Sequence, residues 1–285
     1  MVLESLINAE NAESHPFKMF LLGILFSSVG ILLSLWIFKD QSSLVAVFLT
    51  VFACIPLIYH TIRLEEKKEV EIDSEKKLLK EHSRAITYFV MLFLGFVVSF
   101  FVWYLFLPQN LIETLFNTQH ATINAINAQV SSISGNAISS KFFLQIFTNN
   151  LKVLLFCVFF AFFYGAGAVF ILTWNASVIG TAIGSFIRNN LSEYASHIGL
   201  AKVAGYFHVV SFGILKYMTH GIFEIVAYFV GGLAGGIISV AVIRRDINGE
   251  RFKRIMYDSL DLVLIALVIL ILGAIIEVYV TPRLF

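Results

Sequence analysis

Residues 219–236 read THGIFEIVAYFVGGLAGG, and this stretch decides the fold class. It is an apolar run, yet it carries His220 and Glu224 one helical turn apart. At about 100° per residue, these two side chains share a helix face with Ala227 and with several of the glycines that follow. Ionisable side chains are costly at membrane depth, so this face is expected to meet protein or water and not lipid. The stretch therefore predicts a transmembrane helix whose small and polar residues face another helix.

The composition places the rest of the chain in the membrane as well. Of the 285 residues, 58% are hydrophobic and 14% are charged, whereas a soluble domain carries about 25% charge. A net charge of +1 argues against a nucleic-acid partner, and the lipid bilayer is the expected surroundings. Runs long enough to cross it, at about 20 residues each, lie at 17–38, 44–62, 85–107, 151–174, 219–243 and 260–280.

Lysine and arginine counts predict the orientation of these spans. Residues 63–84 hold seven of them and residues 244–254 hold five, whereas residues 108–150 hold only Lys141. Segments rich in these residues lie on the cytoplasmic side of a membrane. We therefore predict a multi-pass protein of the cell membrane with a cytoplasmic N-terminus and with residues 108–149 outside.

This orientation requires an odd number of crossings between the spans at 151–174 and 219–243, because the first ends inside and the second begins outside. Residues 175–217 contain only short apolar runs. One broken or re-entrant crossing is expected there; the alternative is a short helix followed by an interfacial one. The predicted fold is an all-α polytopic bundle with about seven spans, one of them broken or re-entrant.

The spans divide the chain into further segments. Residues 1–16 are expected to form a cytoplasmic amphipathic helix. The mixed charges of the connector at 63–84 are typical of a solvated helix face. The predicted order is the helix at 1–16, a two-helix hairpin with its connector at 17–84, a third span at 85–107, an outer amphipathic segment at 108–149, and core helices at 150–285.

The outer segment combines a helical apolar period with almost no charge. Such a stripe has to be covered, either by the same protein or the membrane, or by a symmetry mate or a partner. The hypothesis is that it serves association with other membrane or envelope proteins, or within a homo-oligomer. Its residues are Ile112, Phe116, Ile123, Ile126, Val130 and Ile133.

Few polar residues are available to meet the His220–Glu224 face. Asn150 begins the fourth span near the level of His220, and Asn175 follows that span at its inner end. We predict a polar cluster of His220, Glu224, Asn150 and Asn175 that fixes helix packing, with a pathway or a pH-sensitive switch as the alternative. Glu277, near the outer end of the last span, is expected to reach the interface.

Metal chemistry is not expected from this face. A metal site normally needs three protein ligands, and the spacing His-x-x-x-Glu is not the zinc-protease pattern. We predict no catalytic residues, no metal and no cofactor. Close helix packing is predicted instead at the glycines, which small side chains allow: Gly165, Gly167, Gly180, Gly184, Gly231 and Gly235.

The order of these residues resembles a known family. The resemblance rests on Asn149-Asn150, Tyr164-Gly165-Ala166-Gly167, Asn175 with Gly180, and the His220-Gly-x-x-Glu224 motif with its glycine run. Over roughly residues 142–280 this order resembles the stage II sporulation protein M family, and the first two spans look like the extra N-terminal helices of archaeal members.

In sporulating bacteria, the resemblance implies a membrane scaffold that recruits cell-wall hydrolases. For this chain it implies a non-enzymatic scaffold in envelope or membrane remodelling or in complex assembly. The alternative function is a small-solute or ion transporter or channel that uses the His220–Glu224 face.

Overall fold

The computed structural model describes residues 16–72, 74–131, 138–161, 166–191, 200–243 and 250–284. Within these ranges the regular structure is helical. The amphipathic helix predicted at 1–16 lies almost entirely outside the described residues. The helices are α1 (Pro16–Ile37), α2 (Ser42–Glu71), α3 (Glu75–Phe106), α4 (Gln109–Leu115), α5 (Asn117–Ser131), α6 (Ile138–Ala161), α7 (Ala166–Leu191), α8 (Leu200–Ile243), α9 (Glu250–Ile275) and α10 (Thr281–Leu284).

Seven helices in the described part of the chain are long and apolar enough to cross a bilayer. They are α1, α2, α3, α6, α7, α8 and α9. Large apolar side chains such as Phe52 and Phe159 remain exposed on these helices, as lipid-facing positions require. The predicted all-α, multi-pass class is confirmed.

The fourth span ends earlier than predicted. α6 ends at Ala161, and the next crossing is α7, so a single crossing separates α6 from α8. That is the odd number the orientation requires. The break predicted within residues 175–217 remains a prediction, because residues 192–199 lie outside the described residues. The described parts of this stretch belong to α7 and α8, which are each uninterrupted helices. The separation of α6 from α7 escaped prediction because neither a charge nor a proline divides the two apolar stretches.

Arg188 lies near the end of α7 and is accommodated by α3. Its Nη1 donates to the carbonyl oxygens of Tyr104 at 3.3 Å and Leu107 at 3.0 Å. Carbonyls at the C-terminal end of a helix lack intrahelical partners, and a cation suits that end of the helix dipole. The positive charge therefore ties α7 to the end of α3.

Glycines bring neighbouring helices into backbone contact. A Cβ atom on Gly95 of α3 would lie 2.9 Å from the Cα of Gly23 on α1. On α8, a Cβ atom on Gly235 would meet the backbone carbonyl of Val158 of α6. Larger side chains at these positions would push the helices apart, so the glycines set the helix spacing.

The outer segment folds back on its own chain. The predicted helical pattern is confirmed as α4 and α5. Ile112 and Phe116 are 1% and 0% exposed, and the ring of Phe116 lies 5.1 Å from that of Tyr104. The association role predicted for these two residues is wrong, because the core of the same molecule covers them. Ile123 is half-buried, whereas the side chains of Ile126 and Val130 and all of Ile133 lie outside the described residues.

A buried glutamine fixes the position of α5. Ser43 of α2 donates to Oε1 of Gln119 at 2.7 Å, and Nε2 of Gln119 donates to Ser177 of α7 at 3.1 Å. Gln119 is buried, so these bonds satisfy a polar group that water does not reach. The start of α5 is thereby attached to two transmembrane helices.

Candidate functional site

Three helices meet at Glu224 of α8. Asn150 of α6 donates a side-chain hydrogen bond to Oε1 of Glu224. The carboxyl group of Glu277, which follows α9, lies close enough to that of Glu224 to interact with it electrostatically. Asn150, Glu224 and Glu277 are called the carboxyl cluster below.

The glycine run of α8 sets the register of this cluster. Gly231 lies against Leu154 of α6, and Gly235 lies against Val158 of α6. Both pairs are four residues apart along their own helices, so α6 and α8 run parallel with matched turns. This register places Asn150, one turn before Leu154, close to the level of Glu224.

Glu277 lies in a π-helical segment, Ile276–Val280. Short π segments inside α-helices occur often at functional sites. Thr281 follows this segment, and its hydroxyl lies 3.4 Å from Nδ1 of His220. Glu277 and Thr281 therefore both face α8, where they meet Glu224 and His220.

Two of the four residues predicted to form a polar cluster are in direct contact. The structure brings Asn150 and Glu224 together and places His220 one turn away, beside Thr281. Glu277 was expected to reach the interface, and the structure places its carboxyl group near that of Glu224. The sequence carried a signal for this proximity. Glu277 and Thr281 are four residues apart, as are His220 and Glu224. Two antiparallel helices can therefore place Glu277 beside Glu224 and Thr281 beside His220.

Asn175 does not join this cluster through any contact described for it. It is half-buried on α7, and the nearby α7 residue with a described polar partner is Ser177, which binds Gln119. The predicted position of Asn175 assumed that the fourth span ended there. Because α7 begins at Ala166, Asn175 lies within a helix and not at a break.

The remaining predicted glycines contact a different helix. A Cβ atom on Gly180 of α7 would lie 2.7 Å from the Cβ of Phe100, and one on Gly184 would lie 2.8 Å from the Cβ of Tyr104. These contacts bring α7 against α3. Gly165 and the surroundings of Gly167 lie outside the described residues.

The chemistry of the carboxyl cluster follows from its composition. Two carboxylates in contact at membrane depth repel each other with little water to screen them, and burying even one charge without a counterion is costly. The least costly state is one in which both carboxyl groups are protonated, so that the cluster carries no net charge. The Asn150 amide then donates to an unprotonated oxygen of Glu224. Such a cluster can store protons and can hold three helices together.

Metal binding at the cluster lacks a ligand set among the described residues. No group of three His, Cys, Asp or Glu side chains in the described ranges could hold a metal ion. His220 contacts Thr281 at the edge of the cluster.

Comparison with known proteins identifies the family. The family model described as stage II sporulation protein M matches residues 85–282, a range that contains all three residues of the carboxyl cluster. The chain belongs to the stage II sporulation protein M family. An uncharacterized protein of Methanocaldococcus jannaschii is similar to it, with 28% identity over 148 residues, or 50% of this chain and 71% of that protein. No solved structure matches the chain.

A second buried cluster begins outside the stage II sporulation protein M match. Glu65 of α2 is fully buried. Its Oε1 accepts a hydrogen bond from Nζ of Lys68 at 2.6 Å, and its Oε2 accepts one from Nδ1 of His82 at 2.7 Å. Nζ of Lys68 also lies 3.5 Å from Oε2 of Glu81. These four residues are called the connector network below.

The solvated face predicted for residues 63–84 is wrong at the connector network. Glu65 and His82 are 17 residues apart, a separation that no helical period relates. They meet because α2 and α3 pack side by side beyond the apolar spans. Only the tertiary arrangement reveals this contact.

Proposed function

We propose that this member of the stage II sporulation protein M family is a non-enzymatic membrane scaffold. It would assemble other membrane or envelope proteins during envelope or membrane remodelling. The observation that carries the proposal is the length of α8, whose 44 residues span about 66 Å at 1.5 Å per residue. A bilayer core is about 30 Å thick, so a large part of α8 extends beyond it.

The extension lies at the N-terminal end of α8. Gly213 is level with Phe186 and Ile187 near the end of α7, and His220 is level with Thr281 at the end of the last span. α7 ends at Leu191, about one turn beyond Ile187, so residues 200–207 of α8 extend past the described end of that helix. They are called the arm below.

The arm has an apolar surface. Val203 is 66% exposed and Phe207 is 75% exposed, while Lys202 supplies a nearby positive charge. An apolar surface rimmed by polar residues is typical of protein interaction sites. Such a surface, mounted on a bundle held by glycine contacts, suits a scaffold that presents a fixed binding face on the outside of the membrane.

The test is cross-linking in intact membranes, followed by purification and quantitative mass spectrometry. The double variant Val203→Ser, Phe207→Ser is compared with Phe106→Ser, because Phe106 is 81% exposed at the end of α3. We expect a reproducible set of partner proteins with the parent chain and with Phe106→Ser, and about a tenfold lower recovery with the double variant. Equal recovery with all three proteins would contradict the proposal.

The carboxyl cluster supports a second candidate, a proton-coupled transporter. Carboxyl groups in transmembrane segments often mark proton relays. Proteoliposomes that contain the parent chain or Glu224→Gln separate the two functions. A scaffold gives the same solute and proton flux with both proteins. Flux that is present in the parent chain and lost in a folded Glu224→Gln variant would establish transport.

A further inference from the structure

A groove lies between α3 and α9 at the end of the bundle that holds the connector network. Its volume is about 340 Å³, within the range of about 300–1,000 Å³ found for small-molecule sites. Its described lining residues are Leu78, Leu79, His82, Asp258, Asp261, Leu262, Leu264 and Ile265. The carboxyl cluster and the arm lie at the other end of the same bundle, so this groove is a separate feature.

The lining has a polar end and an apolar end. On α9, Asp258 and Asp261 come before Leu262, Leu264 and Ile265 along the helix. The aspartates therefore lie nearer the aqueous surface, and the leucines and isoleucine lie deeper along the apolar span. Leu264 and Ile265 are exposed, so the deep end of the groove opens towards the lipid. A ligand that fits both ends has a charged head and an alkyl chain.

The charged residues that line the groove determine whether a positive or a negative headgroup fits there. Asp258 has a cation nearby, since its Oδ2 lies 3.7 Å from Nε of Arg254. His82 is held by Glu65 in the connector network. Asp261 is an exposed carboxylate on the same groove, and the eight described lining residues contain no lysine or arginine. A cation fits this end, and an anionic headgroup would meet carboxylates.

We propose that this groove binds a membrane lipid with a primary ammonium headgroup. The ammonium group pairs with the Asp261 carboxylate, and the first part of an acyl chain lies along Leu264 and Ile265. A primary ammonium carries three N–H donors, which match carboxylate oxygens at the edge of the membrane. The site would give the scaffold a preference for one kind of lipid in its bilayer.

The test is native mass spectrometry of the full chain, released from vesicles that contain equal amounts of phosphatidylethanolamine and phosphatidylglycerol. We expect the parent chain to retain phosphatidylethanolamine about fivefold more than phosphatidylglycerol, the ratio that one exposed ion pair provides. Asp261→Asn should remove this preference. Asp40→Asn, which changes an exposed aspartate in the 3₁₀ turn before α2, should keep it.

Two further observations make the result decisive. Ile265→Trp fills the apolar end of the groove and should lower retention of both lipids, which ties the effect to the groove and not to surface charge. Hexadecylamine should compete with phosphatidylethanolamine for the parent chain, since it shares the ammonium group and lacks the phosphate. Equal retention of the two lipids by the parent chain, or an unchanged preference in Asp261→Asn, would overturn the proposal.

Discussion

The connector network and the carboxyl cluster each hold a glutamate between packed helices, but they stabilise it in different ways. Glu65 lies against two basic side chains, with Lys68 at 2.6 Å and His82 at 2.7 Å. Glu224 lies against an amide, Asn150, and a second carboxyl group, Glu277. Glu65 therefore lies beside basic side chains, whereas Glu224 lies beside a neutral amide and a second carboxyl group.

This difference shows how the protein treats charge at two depths. The connector network lies beyond the apolar spans, where Lys68 still reaches some water and ions can be paired. The carboxyl cluster lies between transmembrane helices, where charge is costly. There we infer that both carboxyl groups are protonated, so that no counterion is needed. The carboxyl cluster is then a neutral joint between α6, α8 and α9.

The largest expected effect is at Glu65. Glu65→Gln removes the negative charge that Lys68 and His82 face, and breaking a buried ion pair costs about 3 kcal/mol. Glu71→Gln is the matched control, because its pair with Lys67 is more than half exposed and such pairs contribute little. Reversible unfolding in mixed micelles measures both. Equal unfolding free energies for the two variants would show that the connector network does not stabilise the fold.

A smaller loss is expected at Asn150. Asn150→Asp replaces the amide donor with a third carboxyl group beside Glu224 and Glu277, and an unsatisfied buried group of this kind costs about 2 kcal/mol. The neighbouring residue, Asn149, is exposed, so Asn149→Asp changes the same charge without burial. Thermal unfolding in detergent compares the two variants. If Asn150→Asp were as stable as Asn149→Asp, the hydrogen bond from Asn150 to Glu224 would not hold α6 in place.

The sequence predicted the spans well because hydropathy and length decide which helices enter a membrane. It also paired Asn150 with Glu224, since both lie at polar positions of spans that must pack. It missed the boundary between α6 and α7, which falls inside one apolar run. A boundary between two spans that carries no charge leaves no mark in the hydropathy profile.

The misses at the candidate site have a common cause. Glu65 meets His82, and Glu277 meets Glu224, across helix pairs whose register depends on the whole bundle. The apolar helix face predicted at Ile112 and Phe116 is present in the structure. The sequence pattern does not show whether the same chain or a partner covers that face. Periodicity identifies the buried face of a helix, and the tertiary fold identifies its neighbour.

A pH effect is expected at His120, in the segment between α3 and α6. Burial lowers the pKa of His120 below its ordinary value of 6.5, and its Nε2 lies 3.0 Å from the hydroxyl of Tyr104. The unfolded chain therefore binds a proton more readily than the folded one, and stability is lost as the pH falls below about 6.5. The neutral carboxyl cluster should not respond in this range.

Thermal unfolding measured above and below that pH tests the effect in the parent chain and in His120→Gln. The pH dependence should weaken in His120→Gln and persist in His208→Gln, because His208 is exposed. An undiminished dependence in His120→Gln would assign the acid response to another group. A dependence lost in Glu224→Gln would assign it to the carboxyl cluster.

The unfolding free energy of Glu224→Gln distinguishes a neutral carboxyl cluster from a charged one. Glutamine has the shape of a protonated glutamate and keeps an acceptor for Asn150 and a donor for Glu277, so we expect a change below about 1 kcal/mol. Glu113→Gln, at an exposed position of α4, is the control. A loss of about 3 kcal/mol, as large as that expected for Glu65→Gln, would mean that Glu224 is charged in the folded protein and would contradict the neutral joint.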